Sequence, residues 1–166
     1  MSTEIAPIPH EPNGLAPNLP EMTVSTRLSD AIQTLRRPHP DIGTPASYDA
    51  TTQRHAAAAL TRLAPWAEPV TEAVLRAWLA PIPLVVRNEK SPEAIAGWVA
   101  GIALAIGHFE IGAFNATTQR EALQTFKFFP SAADVCEVVS PVAVHIRQTV
   151  RHLRTICEAP TTGSAA

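Results

Sequence analysis

Apolar residues first recur at helical spacing in Leu28, Ala31, Ile32 and Leu35, with polar residues between them and Pro38 as the stop. Residues 23–37 are therefore predicted to form a short amphipathic helix with Leu28, Ile32 and Leu35 on its apolar stripe. Upstream, residues 1–22 carry Pro7, Pro9, Pro12, Pro17 and Pro20, which remove backbone donors and fix φ, so an extended or disordered tail is expected there. Downstream, PHPDIGTPAS (residues 38–47) is a turn-rich linker. With flexible chain on both sides, the helix either docks on the core or is offered to a partner's groove.

From residue 48 onward the pattern is helical throughout. Asp49 to Ala64 is an alanine-rich helix whose larger apolar residues, Leu60 and Leu63, come late, and Pro65 ends it. Val74, Leu75, Trp78 and Leu79 predict a helix over Thr71 to Leu79, closed by Pro81 and Pro83. Leu84 to Val86 is a short apolar run with two β-branched valines and without a partner strand, expected as an extended connector. Ser91-Pro92-Glu93 is a helix start, and the following segment is predicted to be the central core helix. Ile95, Trp98, Val99, Ile102 and Ile106 share one face, while Gly97 and Gly101 offer surfaces for a second helix, and Gly107 stops it. Phe109, Ile111 and Phe114 then form an apolar connector.

The run from Asn115 to Val135 holds two helix starts and an aromatic corner. Thr118 with Glu121 fits a capping box, placing a helix start near Gln119. That helix ends in Phe126-Lys127-Phe128-Phe129 because the residue before Pro130 is pushed out of helical geometry. Ser131 with Asp134 repeats the capping pattern. A last helix is expected from Ser140-Pro141, with Ile146, Val150, Leu153 and Cys157 buried and Arg147, Arg151 and Arg154 displaced by about 100°. Residues 159–166 are too small and polar to pack. The expected architecture is all-α: a small bundle of about five to seven helices over residues 48–158, with flexible tails at both ends.

Composition narrows function more than it assigns it. The chain has 166 residues, 46% of them hydrophobic, enough for one domain with a core, and a net charge of −2 that argues against bulk coating of nucleic acid. Cationic residues are nearly all arginine, and alanine and proline abound, as in GC-rich bacterial or phage coding. Cys136 and Cys157 lack paired-ligand spacing, fitting small hydrophobes in a reducing cytosol. No apolar run is long enough for a membrane span and the N-terminus has no secretory pattern, so a cytoplasmic protein without membrane contact is expected. Phosphate-loop, dinucleotide, zincin and serine-hydrolase motifs are missing, and the six histidines have no metal-ligand spacing. The sequence thus predicts no catalytic residue, metal or cofactor, and a non-enzymatic protein.

Two groups remain as binding candidates. The side chains of Phe126, Lys127, Phe128 and Phe129 cannot all face the same way from one helix end, so at least one ring is expected in the core; the corner is either a mostly buried hydrophobic turn or a partially exposed protein contact, with base stacking a further use. Arg147, Arg151 and Arg154 form either a solvated helix face or a grip for phosphates or an acidic surface. The pentapeptide ATTQR occurs at 50–54 and again at 116–120, each time at a predicted helix start; local capping preference explains the echo better than duplication.

The stretch from Ser91 to Val139, a helix opening S-P-E-A followed by R-E-A-L-Q-T-F-K-F-F-P-S-A-A-D-V, resembles small helical proteins of phage and prophage replication regions. It is similar to the helicase loader and inhibitor family, in which a K-F-x-P run precedes a helix of small residues. The resemblance implies an all-helical protein that binds a DnaB-type replicative helicase, with a flexible terminal segment contributing. The chain departs from that pattern in its long proline-rich N-terminal extension. The competing reading is a small DNA-binding or regulatory protein that uses the arginine stripe.

Overall fold

A computed structural model describes residues 14–15, 30–33, 47–87 and 90–161. Among them the chain is all-α, with no β-strand. The helices are α1 (Ala50–Leu63), α2 (Glu72–Leu79), α3 (Ile82–Val85), α4 (Pro92–Ile106), α5 (Ala116–Thr125) and α6 (Ala132–Glu158), with 3-10 turns at Ala64–Ala67 and Ile111–Ala113. Residues 30–33 add a helical turn. The described residues divide into two compact units: residues 65–87 and 90–146 with Gly14 and Leu15, and residues 30–33 and 47–64 with 147–161.

In the first unit the core gathers around α2. Val74, Leu75, Trp78 and Leu79 are all buried. That is the outcome the four apolar positions require, since they fall on one side of a 3.6-residue repeat. Thr71 caps α2 by accepting from the Val74 amide. Two backbone bonds clip the segment before α2 to the one before the second 3-10 turn: Val70 N donates to Phe109 O at 2.8 Å, and Ile111 N to Glu68 O at 2.7 Å. Phe114 meets Trp78 edge to face, 5.8 Å between centroids. Leu15 is also buried in this core, at 1% exposure, and Gly14 beside it has φ of 76° with Ala77 close by. This one point of the proline-rich tail is docked; the rest of residues 1–22 lies outside the described residues.

Several expectations are corrected. Leu84 and Val85 belong to the helical turn α3, not to an extended connector, although both side chains are exposed. The α4 segment is peripheral rather than central. Its expected inward face is right, with Ile102 and Ile106 buried and Ile95, Trp98 and Val99 half-buried, but the opposite face is open. Leu104 is 90% exposed there, and a Cβ on Gly97 or Gly101 would meet nothing within 4 Å. The helix is apolar on both faces, so composition cannot reveal that only one is covered.

The helix start near Gln119 is also displaced. α5 begins at Ala116 under an Asn115 cap, and Thr118 has another task, described below. Finally, no new helix opens at Ser140. α6 runs unbroken from Ala132 to Glu158 with Pro141 inside it. An interior proline costs about 3 kcal/mol in a free helix, but Val135, Val138 and Val139 before it and Ala143 after it are buried in one core, and Ile146 is buried one turn on, which carries the helix through.

The second unit pairs α1 with the C-terminal turns of α6. Ala56, Ala59 and Leu63 are buried on α1, and Thr149, Val150, Leu153 and Ile156 on α6. Ile156 takes the inward place expected for Cys157, which is half-buried. Burial raises the thiol pKa of Cys157 and of Cys136, as expected for unreactive, hydrophobe-like cysteines. Past the helix end Pro160 and Thr161 are exposed, as expected, but two hydrogen bonds tie them to the start of α1: Tyr48 N donates to Pro160 O at 3.1 Å and Thr161 Oγ1 to Gln53 Oε1 at 2.9 Å.

Candidate protein-docking groove

The aromatic corner between α5 and α6 sorts its three rings into three environments. α5 ends at Thr125 and Phe126 takes an extended conformation, as the approaching proline demands. Successive side chains then point different ways. Phe126 turns inward, at 9% exposure. Phe129 packs edge to face on Trp98, 5.2 Å between centroids, while Lys90 Nζ stands 4.9 Å from the same ring. Phe128 is left 55% exposed.

Hydrogen bonds to two of the corner's backbone carbonyls hold this arrangement. Trp98 Nε1 donates to Pro130 O at 2.8 Å, and Arg87 N donates to Lys127 O at 3.0 Å. The corner is thus tied to α4 on one side and to the segment after α3 on the other, so Phe128 stands on a fixed base. A rigid aromatic loses little conformational entropy when a partner covers it.

The start of α6 closes the corner. Ser131 Oγ accepts from the Asp134 amide at 3.2 Å, while Asp134 Oδ2 accepts from Ser131 N at 2.7 Å and from Ser131 Oγ at 2.8 Å. This is the reciprocal box that the Ser131–Asp134 spacing predicts. The Ser131 hydroxyl and amide hold the Asp134 carboxyl below its usual pKa. A carboxyl with a lowered folded-state pKa supports the fold above its unfolded value and loses that contribution as pH falls through the folded one. The Asp134 carboxyl carbon, followed by NMR, should accordingly titrate below pH 3.8, with the cap intact throughout the neutral range.

Between α5 and α6, on the outer side of the corner, lies an open groove of about 570 Å³. Its apolar surface comes from the phenylalanines, Pro130 and Val138. Its polar rim comes from Glu121 on α5, Lys127 at the corner, and Asp134 and Glu137 on α6. Neither Glu121 nor Glu137 makes a salt bridge to a described residue. Glu121, expected to reach back as part of a capping box, instead faces solvent on the groove. Sequence reasoning found the four corner residues but missed this acidic rim, because the two walls lie sixteen residues apart in the chain.

The other candidates do not join this site. Arg147, Arg151 and Arg154 are exposed on α6 in the second unit, within an arc of about 60°. Ile32 is buried, at 9% exposure, so it is not presented to a partner; Leu28 and Leu35 lie outside the described residues. Among the described residues no group of three histidine, cysteine or acidic side chains is placed to hold a metal ion, and no helix is long and apolar enough to cross a membrane. Compared with protein-family models, curated proteins and solved structures, the chain matches none.

Proposed function

We propose that the protein is a non-enzymatic interaction factor of DNA replication, of phage or prophage type, which binds a DnaB-type replicative helicase through the aromatic corner. The observation that carries this reading is Phe128, an aromatic side chain 55% exposed on a rigid, doubly tethered turn beside a groove. Aromatic residues in such settings supply a large share of interface energy. The corner is also the stretch that carries the resemblance to helicase loaders. A DNA-binding reading rests on the exposed arginine arc of α6; the chain's net charge of −2 gives it less support.

The test is direct. The intact chain should bind a DnaB-type helicase in a titration calorimeter, and Phe128→Ala should weaken the complex at least about tenfold, as for a central interface aromatic. Its melting temperature should hardly change, because the ring is exposed. Absence of binding at micromolar helicase would sink the reading.

A further inference from the structure

We infer that the groove between α5 and α6 receives a cationic amphipathic segment of a protein partner, its apolar residues on Phe128 and its lysines or arginines against Glu121 and Glu137. The inference deepens the interaction reading above and rests on it, but it concerns the chemistry of the occupant and not the occupant's name.

Charge decides between the classes of ligand that an exposed phenylalanine can attract. A base-stacking platform needs cations beside its rings to hold the phosphates. Here the groove's rim has three carboxylates and one ammonium, that of Lys127, and the other nearby cation, Lys90, is engaged over the Phe129 ring. Carboxylates come from both walls, Glu121 from α5 and Asp134 and Glu137 from α6, so any segment lying along the groove runs between two negative edges. A nucleic-acid strand would be repelled from such a channel, and a basic peptide drawn into it.

The carboxylates also differ in availability. Asp134 is committed to Ser131, whose amide and hydroxyl it accepts. Glu121 and Glu137 are exposed and without a salt bridge to a described residue, which leaves their oxygens open to a partner's donors. The groove's size, about 570 Å³, suits two or three side chains from one turn of a helix or a short extended segment. Apolar surface on the floor with unpaired acids on the rim matches a helix that carries leucine or phenylalanine on one face and lysine or arginine on its flanks.

The experiment uses the full chain and three fluorescent probes: an eighteen-residue amphipathic peptide with leucine and phenylalanine on one face and lysine and arginine on the flanks, the same peptide with glutamate at the basic positions, and an oligothymidine. The cationic peptide should bind at least about tenfold more tightly than the acidic one, and its affinity should fall as salt rises. The double variant Glu121→Lys/Glu137→Lys should erase that preference while keeping the far-ultraviolet spectrum and melting point of the parent, since both positions are exposed. Equal binding of the two peptides, tighter binding of the oligothymidine, or no binding of the cationic peptide at millimolar concentration overturns the inference. The helicase reading fails separately: if the chain ignores helicase but retains charge-selective peptide binding, the groove assignment stands alone. If helicase binds the double variant as well as the parent, the groove assignment falls and the helicase reading survives.

Discussion

Replacing Trp78 by alanine should destabilise the first unit by about 3–5 kcal/mol, the range for deleting a buried tryptophan side chain. Few side chains are so completely engaged. Trp78 is fully buried, its ring meets Phe114 edge to face, and its Nε1 donates to Thr118 Oγ1 at 3.2 Å. Its carbonyl accepts from Gln119 Nε2 at 2.9 Å, so the residue joins α2 to α5 through both side chain and backbone. Against a typical total of roughly 5–15 kcal/mol, such a loss would leave the unit marginal at room temperature. Trp78→Phe separates the contributions: most of the ring stays, the Nε1 donor goes, and the expected cost falls to about 1–2 kcal/mol. Urea denaturation followed by far-ultraviolet circular dichroism checks both. Equal losses for the two variants would mean that the hydrogen bond, not the ring, holds α2 against α5.

The places where the sequence was readable follow from how local their causes are. Ser91 and Ser131 both cap helices as their spacing indicates, because a cap depends on three or four consecutive residues. The inward face of α4 was likewise legible from Ile95, Trp98, Val99, Ile102 and Ile106. Its peripheral placement was not, since nothing within the helix records how many neighbours it has. Pro141 misled for the same reason: the local penalty is real, but burial of valines and isoleucine on either side of it outweighs it. At the corner, three phenylalanines within four residues indicated that the rings must part and that at least one joins the core, leaving open whether any faces outward. Which ring does so depended on Trp98, twenty-eight residues away in sequence from the Phe126 that turns inward, and on the Arg87 amide, and neither contact has a local signature.

The ATTQR echo proves to be a repeated helix-docking device, and its second copy supplies the other large expected effect. Each copy is preceded by a residue with an Asx side chain, Asp49 or Asn115, which accepts from the amides two and three residues on. Each second threonine is buried, Thr52 at 3% and Thr118 at 2%. Each glutamine reaches the carbonyls that end another helix: Gln53 Nε2 donates to Ile156 O and Ala159 O, and Gln119 Nε2 to Ala77 O and Trp78 O. The shared residues thus solve one problem twice, starting a helix and satisfying the orphaned carbonyls of its neighbour. Thr118 is occupied as an acceptor from Trp78 and a donor to Ala113 O at 2.6 Å, which is why it does not cap. The two caps should nevertheless differ in worth. Asp49 also accepts from Thr52 Oγ1 at 2.9 Å, but it is exposed and water can replace its oxygens, so Asp49→Ala should cost about 1 kcal/mol. Asn115 is 4% exposed and its Nδ2 also donates to Gly112 O at 2.8 Å, so Asn115→Ala loses the cap and strands a buried carbonyl. About 2–4 kcal/mol is expected. Asn115→Asp keeps the acceptor but sets a carboxylate against the Gly112 carbonyl, and should recover little of that loss. Chemical denaturation of the three variants measures the difference directly; equal costs for Asp49→Ala and Asn115→Ala would show that the buried Gly112 bond adds no more than the Thr52 bond of the exposed cap.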